Sequence, residues 1–121
     1  EVVDNFPNKN IVKMFKIIDN VMIDAKILPA VGIIINELLT NIMKYAFNGR
    51  ESGSITVSGR ASDNRVTIAV QDDGIGLPES IDASNPGGFG LELVHMMTRS
   101  LKGDIKIERG RGTKFVIEFD L

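Results

Sequence analysis

Asp72-Asp73-Gly74-Ile75-Gly76 comes directly after Arg65 to Val70, a run in which Val66, Ile68 and Val70 recur at every second position. Strict alternation of this kind is the signature of a half-buried strand. An aspartate at a strand end can accept a hydrogen bond from a flat donor such as an exocyclic amine. Glycines after it let the backbone turn sharply and come close to a ligand. The same five residues also read as a plain Asp-Asp-Gly turn, and in isolation that is the commoner meaning. In the binding reading Asp72 is the acceptor and Asp73 an exposed neighbour. The surrounding chain has to decide between the two.

Upstream, Leu28 to Phe47 carries apolar residues on most faces: Val31, Ile33, Ile34, Ile35, Leu38, Leu39, Ile42 and Met43. Pro29 suits a first helical turn and Asn48-Gly49 suits an end. A helix with this pattern is buried on most sides. Ile11 to Ile18 alternates roughly and reads as a strand, and Val21 to Ile23 as a short returning one. Ser54 to Ser58 alternates with Gly59 closing the run, and Ser62-Asp63-Asn64 turns it into Arg65 to Val70. Downstream, Asp73 to Gly90 is a loop rich in Gly, Pro, Asp and Ser. Leu91 to Leu101 places Leu91, Val94, Met97 and Leu101 on one helical face, and Lys102-Gly103 ends it. Ile105 to Ile107 and Lys114 to Phe119 are alternating strands around Gly110-Arg111-Gly112. The order of elements implies an α+β fold, a two-layer α/β sandwich with helices on one face of a mixed, mostly antiparallel sheet.

The chain has 121 residues, the length of one domain, and 43% of them are hydrophobic. Its net charge of -2 argues against the clustered basic footprint of a nucleic-acid binder. The absence of cysteine removes disulfides, thiolate metal sites and a cysteine nucleophile. The longest apolar run, Ala30 to Ile35, is too short to span a bilayer, so no membrane contact is expected of this domain itself. The chain opens on Glu1 rather than Met, which fits a piece of a longer protein whose first ten residues form an entry segment.

Three further places carry candidate chemistry. Glu37, Asn41 and Lys44 are spaced four and three apart, so they fall within roughly 60° of one another on the long helix. They form either its solvent face, with a Glu–Lys pair, or a site. In the second case a carboxylate and an amide oxygen would hold Mg²⁺, a hard cation that prefers oxygen ligands. Lys44 would then face phosphate as a point charge. Gly87-Gly88-Phe89-Gly90-Leu91 opens the second helix, either as a flexible loop or as an anion site built from free N–H groups and the helix dipole. Gly112-Thr113 leads into the last strand, where the hydroxyl is either a β-favouring residue after a turn glycine or a support for a nearby carboxylate.

Taken together and in this order, these segments resemble the ATP-binding domain shared by DNA gyrase, the heat-shock chaperone ATPases, histidine kinases and MutL. The resemblance runs from about Ile11 to the end. Asn36-Glu37-Leu38-Leu39-Thr40-Asn41-Ile42-Met43-Lys44-Tyr45-Ala46-Phe47 looks like the N box. Asp72 to Gly76 looks like the first glycine box, and Gly88-Phe89-Gly90-Leu91 like the second. Gly112-Thr113-Lys114-Phe115 looks like the terminal Gly-Thr element. The Lys44 to Phe47 ending is typical of histidine kinases, and the compact build with a short stretch between glycine boxes is closest to the histidine-kinase branch with a variant dimerisation domain.

The resemblance implies ATP and Mg²⁺ as cofactors and assigns roles. Asp72 would accept from the adenine amino group. Asn41 would ligate Mg²⁺, with Glu37 beside the metal or activating the acceptor. Lys44 would face phosphate and Tyr45 the nucleotide. Gly74 and Gly76 would give clearance for the base. Gly88, Phe89, Gly90 and Leu91 would border the phosphates, and Thr113 would support Asp72 through a water. It also implies a cytoplasmic single catalytic domain, residues 1–121, in a sensor kinase that is itself cytoplasmic or membrane-anchored. Its partners would be an upstream dimerisation and phosphoacceptor domain, a sensor domain and a response-regulator receiver domain. An anti-sigma-type serine kinase and a nucleotide-gated ATPase or regulatory module share the fold.

The chain departs from the pattern in places. It has no separate Phe-containing box between Gly76 and Gly88. The lid, Leu77 to Gly87, has no Lys or Arg. Ile42 stands where Ala is common. His95, with Glu92 and Arg99, reads as a surface helix residue and not as the phosphoacceptor. Arg109 and Arg111 read as a solvated turn, and the five Met as core filler.

Overall fold

A computed structural model describes residues 11–19, 25–46, 52–76 and 91–121; for 11–19 and Tyr45 the description is of the backbone alone. The expected returning strand at 21–23, the helix end at Asn48-Gly49, the entry segment and the loop from 77 to 90 lie outside these residues.

Five strands form one sheet: β1 (Ile11–Asp19), β2 (Ser52–Ser62), β3 (Arg65–Asp72), β4 (Asp104–Gly110) and β5 (Gly112–Asp120). Their spatial order is β1-β2-β3-β5-β4. β1 runs parallel to β2, and every other pairing is antiparallel. The sheet is therefore mixed and mostly antiparallel, as the sequence implies. Two helices, α1 (Leu28–Asn41) and α2 (Leu91–Ser100), pack on each other and share one apolar core with β2 to β5.

Alternation along the strands sorts the sheet into two faces. Toward the core, residues paired across the sheet form apolar rows: Ala61, Val66 and Phe119; then Gly59, Ile68, Ile117 and Ile105; then Val57, Val70, Phe115 and Ile107. The other face carries Ser58, Arg60, Thr67, Lys106, Lys114 and Glu118. Arg65, at the end of the sheet far from Asp72, bridges Asp104, Glu118 and Asp120. The hydrogen bond to Asp120, chiefly, raises its pKa further. This cluster is exposed and contributes little to stability.

β2 does not stop at Gly59, as expected, but continues to Ser62. The reason lies in the turn: Asp63 and Asn64 have φ of 54° and 63°. A two-residue loop with both residues left-handed forces Ser62 to pair with Arg65, and the ladder then runs through Gly59. α2 ends in a Schellman arrangement. Gly103 N–H donates to Thr98 O at 3.0 Å and Lys102 N–H to Arg99 O at 2.8 Å, with Lys102 itself at φ 55°.

The long helix departs most from expectation. After Asn41 its hydrogen bonding loosens, and Ile42–Ala46 is a π-helical turn. Such turns are commonly found as insertions at functional sites. Ile33, on α1, is 39% exposed, whereas Leu38 is fully buried.

Replacing Leu38 with Ala should cost about 2–5 kcal/mol through lost burial and a residual cavity. The corresponding change at Ile33 should cost about 1 kcal/mol or less. Urea denaturation of both variants, read by far-UV circular dichroism, checks the pair.

Candidate functional site

At one end of the sheet the apolar rows give way to a polar one. The next residues in cross-strand register are Ile55, Asp72, Thr113 and Arg109. Asp72 and Thr113 are each 3% exposed and directly opposite one another. A buried carboxylate is tolerable only when hydrogen-bonded. Asp72 Oδ1 accepts the Gly74 N–H at 2.8 Å, which ties the side chain to the loop that follows it.

That loop is fastened on two sides. On one side, Ile75 N–H donates to the Ala46 carbonyl at 2.8 Å. Ala46 is the last residue of the π turn, where carbonyls lack helical partners. The approach is so close that a Cβ on Gly74 would overlap the backbone and side chain of Ala46. On the other side, Asp73 grips Ser54 of β2. Its Oδ1 accepts the Ser54 N–H at 2.8 Å and its Oδ2 accepts the Ser54 hydroxyl at 3.0 Å. The Asp73 N–H donates to the Ser54 carbonyl at 3.3 Å. Asp73 is thus a half-buried clamp and not the exposed neighbour expected from sequence. The signal was present in Ser54, a hydroxyl residue opening the alternating strand, but only the register brings the two together.

From the strand side, Gly112 has φ 89°, and a Cβ there would overlap the Asp72 carbonyl. The Gly-Thr pair therefore has two jobs: glycine lets β5 close on β3, and threonine lies beside the carboxylate.

A cleft opens at this corner, lined by Asn41, Ile42, Ala46, Asp72, Gly76, Leu91, Thr113 and Phe115. It brings together residues from the helix, both glycine-bearing turns and the last strand. Leu91 is buried at the first turn of α2, so that helix's N-terminal end borders the cleft. Gly74 is not part of the cleft wall and packs against Ala46. Glu37 is half-buried one turn before Asn41, and Lys44 is exposed within the π turn; neither is part of the cleft wall. The π turn breaks the α-helical spacing that put Lys44 on one stripe with Asn41. Gly88, Phe89 and Gly90 lie outside the described residues, as does the Tyr45 side chain.

Among the described residues no group of three or more His, Asp or Glu side chains could hold a metal. Mg²⁺ commonly takes only one or two protein oxygens and completes its shell with water and phosphate. Asn41 and Glu37, one helical turn apart and both partly accessible, fit that requirement.

His95 is half-buried on α2, and its Nε2 is shielded with no hydrogen-bond partner among the described residues. It is less of a surface residue than its neighbours Glu92 and Arg99 imply. Met43 and Met97 serve the core as expected, but Met96 is 61% exposed.

The family profile of histidine kinase-, DNA gyrase B- and HSP90-like ATPases matches residues 28–121. The chain belongs to this ATPase family. Among its relatives is blue-light-activated histidine kinase 2 of Erythrobacter litoralis, 31% identical over 104 residues, or 85% of this chain and 30% of that protein. The anti-sigma F factor of Clostridium beijerinckii is 29% identical over 94 residues, or 69% of this chain and 64% of that protein. The solved histidine kinase domain of Erythrobacter litoralis EL346 superposes with a TM-score of 0.87 at 26% identity, covering 99% of this chain and 56% of that one. The chain thus spans about a third of the curated histidine kinase. Among the described residues of this ATPase domain, no helix is long and apolar enough to cross a membrane.

Gly112→Ala should destabilise the domain by at least about 2 kcal/mol, because it adds both a left-handed strain and a backbone overlap. Gly110→Ala, whose Cβ meets nothing within 4 Å, should stay within about 1 kcal/mol. Thermal melts of the two variants side by side test the contrast.

Proposed function

We propose that this chain is the ATP-binding catalytic domain of a sensor histidine kinase, handing the γ-phosphoryl of ATP to a histidine on a separate dimerisation domain. The observation that carries this reading is the buried Asp72 carboxylate in a cleft it shares with Asn41, Thr113 and the first turn of α2. A fixed acceptor in a mostly apolar cleft favours a flat base with an amino group at its edge, as in adenine. Asp72 accepts from that amino group, and Thr113 supports Asp72, directly or through a water. Gly74 and Gly76 keep the loop low enough for the base to enter, and Tyr45 borders the nucleotide.

The phosphates extend toward the helix. Backbone N–H groups of Gly88, Phe89, Gly90 and Leu91 offer an anion site at the start of α2. The lid contributes no Lys or Arg, so Lys44 provides the cationic side chain there. Asn41 would hold Mg²⁺, with Glu37 beside it or orienting the incoming histidine. When bound, Mg²⁺ neutralises developing charge on the phosphoryl oxygens. The protein's own contribution is positioning, since phosphoryl transfer needs little covalent help. The acceptor histidine belongs to an upstream helical domain of the variant type, governed by a sensor domain, and a response-regulator receiver takes the phosphoryl group next. The domain works in the cytoplasm, in a protein that is soluble or membrane-anchored.

A second reading, a serine kinase of the anti-sigma type, has one specific point in its favour. The chain is 29% identical to the anti-sigma F factor over 94 residues. The Lys44-Tyr45-Ala46-Phe47 ending favours the histidine kinase.

Asp72→Asn should abolish measurable Mg·ATP binding by isothermal titration calorimetry, and unchanged affinity would sink the assignment. Asn41→Ala or Asn41→Asp should retain weak ADP binding and lose phosphotransfer to an added dimerisation domain. Full transfer by either variant places the metal elsewhere. Acid-labile label on the acceptor separates phosphohistidine from the phosphoserine of the second reading.

A further inference from the structure

Asp73 holds Ser54 at three points. Both its carboxylate oxygens and its backbone N–H bond to that single residue, at 2.8, 3.0 and 3.3 Å. A partly buried, two-oxygen grip on one residue of the neighbouring strand is more than a turn needs, because the β2–β3 ladder already pairs Ile55 with Asp72. Its consequence lies one residue on. The Gly74 N–H that holds Asp72 Oδ1 follows Asp73 directly, so its direction is set where Asp73 is pinned on one flank and Ile75 on the other. Without the Ser54 grip, the loop would lose its fastening to β2 and keep the Ala46–Ile75 bond on the helix side.

We propose that Asp73, acting through Ser54, is a positioning residue that aims the Asp72 carboxylate at the purine 6-position. It thereby sets the domain's preference for a 6-amino over a 6-oxo purine nucleotide. This rests on the proposed role of Asp72 in base reading. Asp73 touches no ligand in this scheme; it fixes the direction of the acceptor. A hydrogen bond loses most of its worth within a few tens of degrees of misalignment, so a small rotation of Asp72 weakens the amino contact while leaving the cleft open. A 6-oxo purine has no amino group there to lose.

The test compares ATP with inosine triphosphate, both with Mg²⁺, by calorimetry on the 121-residue chain and its variants, with thermal melts in parallel. Asp73→Ala should weaken ATP about tenfold, the worth of one hydrogen bond to a charged group, and change inosine triphosphate far less. Asp73→Asn keeps an acceptor for the Ser54 N–H and should restore most of the ATP preference. Ser54→Ala, the milder variant, removes only the hydroxyl and should shift the ratio the same way by a smaller factor. Equal losses for both nucleotides, an unchanged ratio, or failure of Asp73→Asn to rescue overturns the positioning role. Asp72→Asn separates the two layers. If it collapses the ratio and Asp73→Ala does not, the positioning role alone is wrong. If Asp72→Asn leaves the ratio intact, the base-reading role falls and this one with it.

Discussion

A buried carboxylate at the end of a strand, bonded to a backbone amide two residues on, is the constraint from which the rest of this site follows. Asp72 sits in the position where the next apolar residue of β3 would be expected to pack. Taking a carboxylate out of water costs several kcal/mol unless its oxygens are satisfied. The Gly74 N–H supplies one partner, and Thr113 lies directly opposite. Polar satisfaction at this point has made the end of the sheet a site and not a continuation of the core.

The glycines follow from the same demand. For Gly74 to reach Asp72, the loop must lie against the end of the long helix, where Ala46 leaves no room for a side chain. For β5 to deliver Thr113, its first residue must pass over the Asp72 carbonyl in a left-handed conformation. The π turn belongs to this arrangement too, since it ends on Ala46, whose carbonyl receives the Ile75 N–H. Helix, glycine turn and last strand are thus bonded or packed to one another around one side chain. The wall of the cleft is held by backbone contacts at Gly74, Ile75 and Gly112 together with the short Asp72 and Asp73 carboxylates.

Most of the fold was legible because its signals are periodic. Alternation in Arg65 to Val70 and Lys114 to Phe119, and the apolar helix from Leu28, report burial directly, and burial is what orders the layers. The family boxes also named Asn41, Asp72, Gly76, Leu91 and Thr113, residues distant in sequence that line one cleft. What escaped was whatever depends on geometry between elements. A π turn leaves no mark in composition, because Ile42 to Ala46 is as apolar and helical as what precedes it. Asp73 looked exposed because its partner, Ser54, is 19 residues away and meets it only once β2 and β3 are in register. Gly59 looked like a strand end because glycine usually weakens one, yet the tight Asp63-Asn64 turn carried the ladder past it.

The central claim is that a nucleotide lies in this cleft with its base at Asp72. Amide chemical shifts of the ¹⁵N-labelled chain during titration with Mg·ADP test it most directly. The account predicts the largest changes at Asp72, Gly74, Gly76, Leu91 and Thr113, with the outer sheet face at Ser58, Thr67 and Lys106 left still. Changes concentrated on that outer face, with the Asp72 corner unmoved, would contradict it.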